Sequence, residues 1–174
     1  MSASNHKDRG VVTKGILIAW IISVLFIGGG WAVFSRFGLF REFTPQTAFA
    51  FTVLIAGLTL LAGIGRAAQL RHFSQNIDGS APVNGSPLDI TRRYISNTVE
   101  QLLLFVIGAT GLLYAAPDIA ERLLPIMGVW FLVARLMFWV GYHKHPLKRA
   151  VGFAATFHPT IFLFGLAAYQ LITQ

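Results

Sequence analysis

The chain has 174 residues, of which 55% are hydrophobic and only 12% charged, whereas a soluble domain normally carries about 25% charged residues. A small globule cannot hide so much apolar surface, so we expect lipid to be the solvent of this chain. The formal net charge of +7 is placed between hydrophobic runs, which favours a membrane over a nucleic acid partner, and the lack of cysteine excludes disulfides and thiolate ligands.

Five apolar stretches approach the roughly 20 residues that a helix needs to cross a bilayer. In chain order they are residues 15–34, 47–65, 94–116, 123–142 and 150–172. The first stretch has the alternative of a signal peptide, but its apolar run is longer than a typical signal sequence and no small-residue cleavage site follows it. Pro159 lies inside the fifth stretch and predicts a kink. We therefore predict an all-α membrane protein with five spans.

The basic residues alternate along the predicted connections. Ten fall on one side of the membrane: Lys7, Arg9, Lys14, Arg66, Arg71, Arg92, Arg93, Lys144, Lys148 and Arg149. Three fall on the other side: Arg36, Arg41 and Arg122. The positive-inside rule then places the N-terminus and both basic loops in the cytoplasm and the C-terminus outside. The short chain without an organellar targeting sequence favours a bacterial inner membrane.

Three polar side chains fall inside the predicted spans, where hydrocarbon makes them costly unless they face the bundle interior or a water-filled cavity. Asn97 and Glu100 lie in the first turns of the third span, and Arg135 lies inside the fourth. Glu100 and Arg135 both lie about 10 Å from the same membrane face, so we expect them to pair. Such a pair either fixes the helix register or belongs to a binding site.

Helical spacing extends these residues into two stripes. Arg93, Asn97 and Glu100 fall at i, i+4 and i+7 on the third span, and Arg135, Phe138, Trp139 and Tyr142 fall at i, i+3, i+4 and i+7 on the fourth. We expect the stripes to line one cleft with a basic mouth, formed by Arg92, Arg93, His143, Lys144, His145, Lys148 and Arg149. One acid among these cations suits a soluble anion with a free amine, although the positive-inside rule alone also explains most of the charges. No metal site is expected, because the two histidines have no acidic neighbour.

Two segments resemble signatures of the MAPEG family, the membrane-associated proteins in eicosanoid and glutathione metabolism. Residues 93–101 are similar to the family pattern Arg-x-x-x-Asn-x-x-Glu. Residues 134–142, followed by Pro146, Lys148 and Arg149, are similar to a second family signature in its leukotriene C4 synthase form. The resemblance therefore points to the branch that holds leukotriene C4 synthase and the microsomal glutathione transferases.

The resemblance implies a four-helix transmembrane domain at residues 46–174, preceded by a cytoplasmic segment at 1–14 and an extra transmembrane helix at 15–37. It also implies a homotrimer that binds glutathione, as co-substrate, between neighbouring subunits near the cytoplasmic face. The residues implied to bind glutathione are Arg93, Asn97, Glu100, Arg135 and Tyr142, with Arg66 or Arg71 as a further contact. Arg149, which would polarise the thiol, and Tyr142 are the implied catalytic residues.

The activity implied by the resemblance is that of a glutathione-dependent transferase or peroxidase acting on lipophilic electrophiles or hydroperoxides. The chain departs from family members at four positions: Phe138 replaces a tyrosine, Ser96 an arginine, and Ile90 and Ile95 polar residues. Two alternatives therefore stand beside the enzyme. One is a non-catalytic protein of the same fold that binds a lipophilic ligand. The other is a proton-coupled transporter using Glu100, which the nearby Arg135 and the basic mouth disfavour.

Overall fold

The computed structural model describes residues 3–39, 42–74 and 82–173, and the side chains of residues 3–8 and 146 lie outside the description. Its helices are α1 (Ala3–Phe37), α2 (Pro45–His72), α3 (Pro87–Ala115), α4 (Pro117–Lys144), a short 3-10 helix (Pro146–Lys148) and α5 (Arg149–Ile172). All five α-helices are long and apolar enough to cross a membrane. The predicted all-α membrane protein with five spans is thereby confirmed. Arg41 and the side chain of Lys7, used in the charge count, lie outside the described residues.

Helices α2, α3 and α4 all begin before their apolar runs, α2 and α3 with a side-chain cap and α4 without one. Thr44 and Thr47 form a reciprocal capping pair at the start of α2. Ser86 Oγ accepts a hydrogen bond from the Asp89 amide at 3.2 Å at the start of α3. A proline follows directly in each case, where its missing N–H is no loss: Pro45, Pro87 and Pro117. The predicted starts, at residues 47, 94 and 123, were therefore too late.

Pro159 lies inside α5, and the helix continues through it. A proline has no N–H to donate to the carbonyl four residues earlier, which here belongs to Ala155. That carbonyl accepts a hydrogen bond of 2.8 Å from Nε1 of Trp130 on α4. An indole from a neighbouring helix thus satisfies the backbone group that the proline leaves free. Pro125, inside α4, is a second proline within a helix.

Helices α2 to α5 pack as a four-helix bundle in which α4 is the most buried element. The largest cluster of buried side chains combines Phe105 and Leu112 of α3 with Phe131 of α4 and Leu163 of α5. Small residues allow close backbone contact, since a Cβ added at Gly128 would lie 2.9 Å from the Cα of Thr52 on α2. Such packing drives helix association in lipid, where the hydrophobic effect between helices is weak.

Helix α1 packs on the outside of this bundle, against α4, α5 and the 3-10 helix. Within the described part of the chain it does not pack against α2 or α3. Its inner face carries the buried residues Gly15, Ala19 and Ser23, whereas Leu17 and Leu25 on the outer face are exposed. An exposed apolar face is expected where lipid is the solvent. Helix α1 begins at Ala3, so it includes most of the predicted cytoplasmic segment at residues 1–14.

Candidate functional site

The start of α3, the end of α4 and the start of α5 meet at one end of the bundle, which we call the basic end. Its exposed basic side chains are Arg92, Arg93, His143, Lys144, His145, Lys148 and Arg149. Asn97, Arg135 and Tyr142 lie at the same end, as hydrogen bonds and ring contacts among these helices show. The structure therefore brings the predicted stripes of α3 and α4 to one place.

Arg135 is fully buried at the basic end, with 0% of its surface exposed. Its Nη1 donates to Asn97 Oδ1 at 3.1 Å and its Nη2 donates to Thr98 Oγ1 at 2.8 Å. No ion pair joins Arg135 to Glu100, although the structure describes both residues, so the predicted direct pair is wrong. Glu100 is exposed and is linked only indirectly, because Asn97 Nδ2 lies 3.5 Å from its Oε2.

The reason lies in the face of α3 that packs against α4. The buried row of α3 is Tyr94, Thr98, Gln101 and Phe105. The predicted row precedes it by one residue at each turn, and one residue rotates a helix by about 100°. Arg93 and Glu100 therefore lie at the exposed edge of the helix, and Asn97 lies half-buried between the two rows. Polar groups on that edge remain accessible to a ligand or to a second subunit.

An aromatic shell surrounds the buried guanidinium of Arg135. Its Cζ lies 4.2 Å from the ring centroid of Phe138 and 5.3 Å from that of Tyr94. The hydroxyl of Tyr94 donates a hydrogen bond of 3.1 Å to the Thr59 carbonyl of α2, and the tilted ring of Trp139 packs against the Tyr94 ring with centroids 4.5 Å apart. Two neutral acceptors and two ring faces thus take the place of a carboxylate. The Nε of Arg135 is left without a hydrogen-bond partner among the described residues.

Arg93 is held by the turn that precedes α3. Its Nη2 forms a salt bridge of 3.1 Å with Asp89 Oδ2 and donates to Asn84 Oδ1 at 2.7 Å. Asp89 Oδ2 also accepts the amide of Gly85, whose φ of +76° suits only glycine well. Arg93 additionally interacts with Tyr142 of α4. Because half of the Arg93 side chain is exposed, these contacts orient the guanidinium rather than stabilise the fold.

Tyr142 and Arg149 form the side of the site nearest to α5. The Cζ of Arg149 lies 4.8 Å from the centroid of the Tyr142 ring, and the Phe138 ring meets that ring in a T-shaped contact with centroids 5.7 Å apart. Tyr142 is 6% exposed, whereas Arg149 is exposed. An exposed cation is therefore positioned by a buried ring.

Two glycines allow this close arrangement of α4 and α5. A Cβ at Gly141 would lie 2.7 Å from the carbonyl oxygen of Lys148, and a Cβ at Gly152 would overlap the backbone of Phe138. Neither position leaves room for any side chain. The glycines thus set the separation at which Arg149 reaches the Tyr142 ring.

A cavity of about 470 Å³ adjoins Arg149. Its walls include Asn97 of α3, Phe138 of α4, Arg149 and Phe153 of α5, and Val12 and Ile16 of α1. The cavity is polar at Asn97 and Arg149 and apolar elsewhere. The lining of the cavity therefore suits a molecule with one polar end and an apolar body.

The remaining predicted candidates have local roles. His143 Nδ1 lies 3.0 Å from the Trp139 carbonyl, and His145 Nδ1 accepts the Leu147 amide at 3.2 Å to cap the 3-10 helix. Arg66 donates to Gln69 within α2 at 2.6 Å. These contacts are short-range along the chain, and they draw none of the three residues into the cluster around Arg135.

The sequence reading missed Thr98 and Tyr94, which hold Arg135, and Asp89, which holds Arg93. A signal was present, since Tyr94 and Thr98 are polar residues spaced by four on the same helix as the chosen row. The choice between two adjacent rows depends on the direction from which α4 approaches. That direction follows from tertiary packing.

Comparisons with known proteins agree with this architecture. The sequence model of the MAPEG family matches residues 46–169, which include α2 to α4 and most of α5 but leave α1 outside. Transmembrane protein 79 of Bos taurus is 28% identical over 112 residues, which covers 63% of this chain and 25% of that protein. The chain thus spans about a quarter of the length of this curated relative. No solved structure gives a significant match.

Proposed function

Because the chain belongs to the MAPEG family of membrane proteins, we propose that it binds glutathione at the basic end and joins it to a lipophilic substrate. The observation that carries the proposal is the arrangement of accessible charges around one buried cluster. The guanidinium groups of Arg93 and Arg149 and the carboxylate of Glu100 are exposed beside the buried Arg135. Glutathione has two carboxylates and one ammonium group, which complement two cations and one acid.

The proposed chemistry needs only the thiol and one cation. Arg149 is the residue that would stand near the sulfur and lower the pKa of the thiol by favouring the thiolate. The thiolate then attacks an electrophilic carbon that arrives from the lipid, or the terminal oxygen of a hydroperoxide, whose O–O bond breaks to release the alcohol. Tyr142 would hold Arg149 in place through its ring, which the separation of 4.8 Å supports.

We propose that the active unit is a homotrimer with the thiol site between subunits. Glu100 lies among the exposed apolar residues Val99, Leu103 and Leu104 of α3. A carboxylate that faces hydrocarbon is costly, so a surface of this kind calls for a covering subunit or ligand. A neighbouring subunit on the α3 face would cover both the acid and the apolar side chains.

We further propose that the basic end faces the cytoplasm of a bacterial inner membrane, as the excess of basic residues on that side favours. The natural lack of cysteine permits a direct test with single cysteines at Lys144 and Thr173. A membrane-impermeant maleimide applied to intact cells is expected to label the cysteine at position 173 and not the one at 144. The opposite labelling pattern would show that the basic end faces outwards.

A non-catalytic protein that binds a lipophilic ligand is the second candidate. The observation in its favour is Phe138, which has no hydroxyl and whose ring faces the Arg135 guanidinium at 4.2 Å. A site that lacks this hydroxyl has fewer groups for polar contact with a tripeptide. Such a protein would bind the lipophilic ligand without forming a thioether.

The test of the main proposal is calorimetric titration of glutathione into the detergent-purified chain. Glu100→Gln and Arg93→Ala are each expected to weaken saturable binding by about tenfold, as for loss of one charge-assisted hydrogen bond. Arg122→Ala, at the opposite end of α4, is the matched control and leaves binding unchanged. Folded protein that does not bind glutathione at millimolar concentration would reject the glutathione site. Binding without thioether formation would favour the second candidate.

A further inference from the structure

Helix α1 contributes a wall to the cavity at the basic end, although it lies before the residues that the family model matches. Val12 and Ile16 line the cavity together with Asn97 and Arg149. Both α1 residues are half-buried, and Gly15 between them packs against Val151, where an added Cβ would lie 3.2 Å from Cγ2. Close packing at Gly15 thus places the turn of α1 that holds Val12 and Ile16 beside the cavity.

The cavity has the chemistry of a site for a lipid-derived molecule rather than for a peptide. One end presents the guanidinium of Arg149 and the amide of Asn97, and the other walls are formed by aromatic and aliphatic side chains, among them the partly exposed Phe153. Its volume of about 470 Å³ fits a ligand of moderate size. An apolar chain with an oxygen-bearing group at one end, such as a carbonyl or a carboxylate, complements both parts.

We propose that α1 forms the outer wall of the site for the lipophilic substrate, and that Val12 and Ile16 determine which chain-like, oxygen-bearing molecules this site accepts. This inference rests on the proposed function for the identity of the second reactant. The occupancy of the cavity and the role of α1 do not depend on the thiol chemistry.

The proposed reaction with such a substrate, taking a 2-alkenal as the example, is an addition. The thiolate sulfur forms a bond to the β-carbon, the electrons of the carbon–carbon double bond shift to the α-carbon, and the α-carbon takes up the proton that the thiol released. Nothing leaves, and no oxidant is required. The aldehyde oxygen gains electron density during the attack, and a cation such as Arg149 stabilises that charge.

Two neighbouring positions on α1 provide a matched pair of variants. Ile16→Trp adds bulk to the cavity wall, whereas Leu17→Trp adds the same bulk to the outer face, where Leu17 is 61% exposed. Ile16→Ala, the third variant, enlarges the cavity instead of filling it. All three are made in the 174-residue chain in lipid nanodiscs.

The first measurement detects a ligand in the cavity and does not depend on the thiol reaction. A fatty acid with a diazirine in the middle of its chain is photoactivated with the wild-type chain, and the labelled residues are identified by mass spectrometry. We expect labelling at Val12, Ile16 and Phe153, and we expect long-chain alkenals to compete with the probe for these positions. Ile16→Trp should lower the labelling by about tenfold, whereas Leu17→Trp should leave it unchanged. Even labelling of all lipid-facing residues, or equal effects of the two tryptophans, would overturn the proposal.

The second measurement is the rate of thioether formation with alkenals of increasing chain length. Ile16→Trp is expected to lower kcat/KM for the long alkenals by about tenfold, and Ile16→Ala to raise it for branched ones, while the Kd of glutathione stays constant in both. If the wild type binds no glutathione, the proposed function fails, and the labelling experiment still decides the role of α1. If glutathione binds but Ile16→Trp does not change the labelling, only the inference about α1 is rejected.

Discussion

Arg135 of α4 donates a hydrogen bond of 2.8 Å to the hydroxyl of Thr98 on α3, and this bond joins the two helices at the depth of the candidate site. The guanidinium is fully buried, and no carboxylate of the described residues forms an ion pair with it. Each neutral acceptor therefore contributes more to stability than it would at a surface, because leaving a donor of a buried cation unpaired costs free energy.

We predict that Thr98→Val destabilises the protein by about 1–3 kcal/mol, since one N–H of the buried guanidinium loses its acceptor. Thr110→Val is the control, because the Thr110 hydroxyl donates only to the Val106 carbonyl within α3. Unfolding in a denaturing detergent titration measures both variants. Equal destabilisation would mean that Arg135 draws no stability from Thr98.

Gly152 is predicted to tolerate no side chain. Its Cβ would overlap the backbone of Phe138, so Gly152→Ala has to force α4 and α5 apart and should cost about 3 kcal/mol or more. Gly165 on the same helix has nothing within 4 Å of the corresponding position. Gly165→Ala should leave stability unchanged or raise it by up to about 1 kcal/mol, because alanine favours helix. Thermal unfolding in one detergent compares the pair, and similar midpoints would contradict the contact at Gly152.

The bond between Trp130 and the Ala155 carbonyl predicts a coupling with Pro159. Trp130→Phe should destabilise the protein by about 1–3 kcal/mol, because the carbonyl that Pro159 leaves free then has no donor. In the Pro159→Ala background, the amide of residue 159 can donate to that carbonyl, and the same Trp130→Phe change should cost less. A double-mutant cycle measures this difference. Additive effects would show that the indole does not substitute for the helical bond.

The proposed role of Arg149 predicts a change in the pH dependence of the reaction. A cation near the sulfur favours the thiolate, so its removal in Arg149→Met should raise the pKa of bound glutathione by about 1, and the rate should reach its plateau at higher pH. Arg149→Lys keeps the charge but loses the guanidinium contact with the Tyr142 ring, so its thiol pKa should fall between those of the wild type and Arg149→Met.

The ultraviolet absorbance of the thiolate, followed as a function of pH, measures this pKa without turnover. Arg122→Met is the control, because Arg122 is an exposed cation at the far end of α4. A thiol pKa in Arg149→Met that equals the wild-type value would assign the activation to another residue.

The sequence predicted the class of fold and the number of spans, because long apolar runs in a lipid solvent have few other solutions. It also identified the end of the bundle that gathers Arg93, Asn97, Arg135 and Tyr142. The predicted partner of Arg135 was wrong, because neighbouring rows of α3 differ by one residue and both carry polar groups. Periodicity identifies candidate faces, whereas the approach of α4 selects between them.

The position of α1 was beyond prediction for a different reason. A helix with apolar residues on all sides, such as Leu17, Ala19 and Ile21, has no pattern that marks its contact face. The decisive features are small, namely the glycine at position 15 and the shape of the groove beside α5. The cavity lined by Val12 and Ile16 therefore became visible only in the folded chain.

The contacts of α1 have a consequence for biosynthesis. Helix α1 leaves the ribosome before α2 to α5, yet it packs on α4 and α5, which come last in the order of the five described helices. Until Gly152 and its neighbours have entered the membrane, the inner face of α1 with Ala19 and Ser23 lacks its contacts with α5. The cavity beside Val12 and Ile16 is thus completed only when α5 is inserted, because Arg149 and Phe153 belong to that helix.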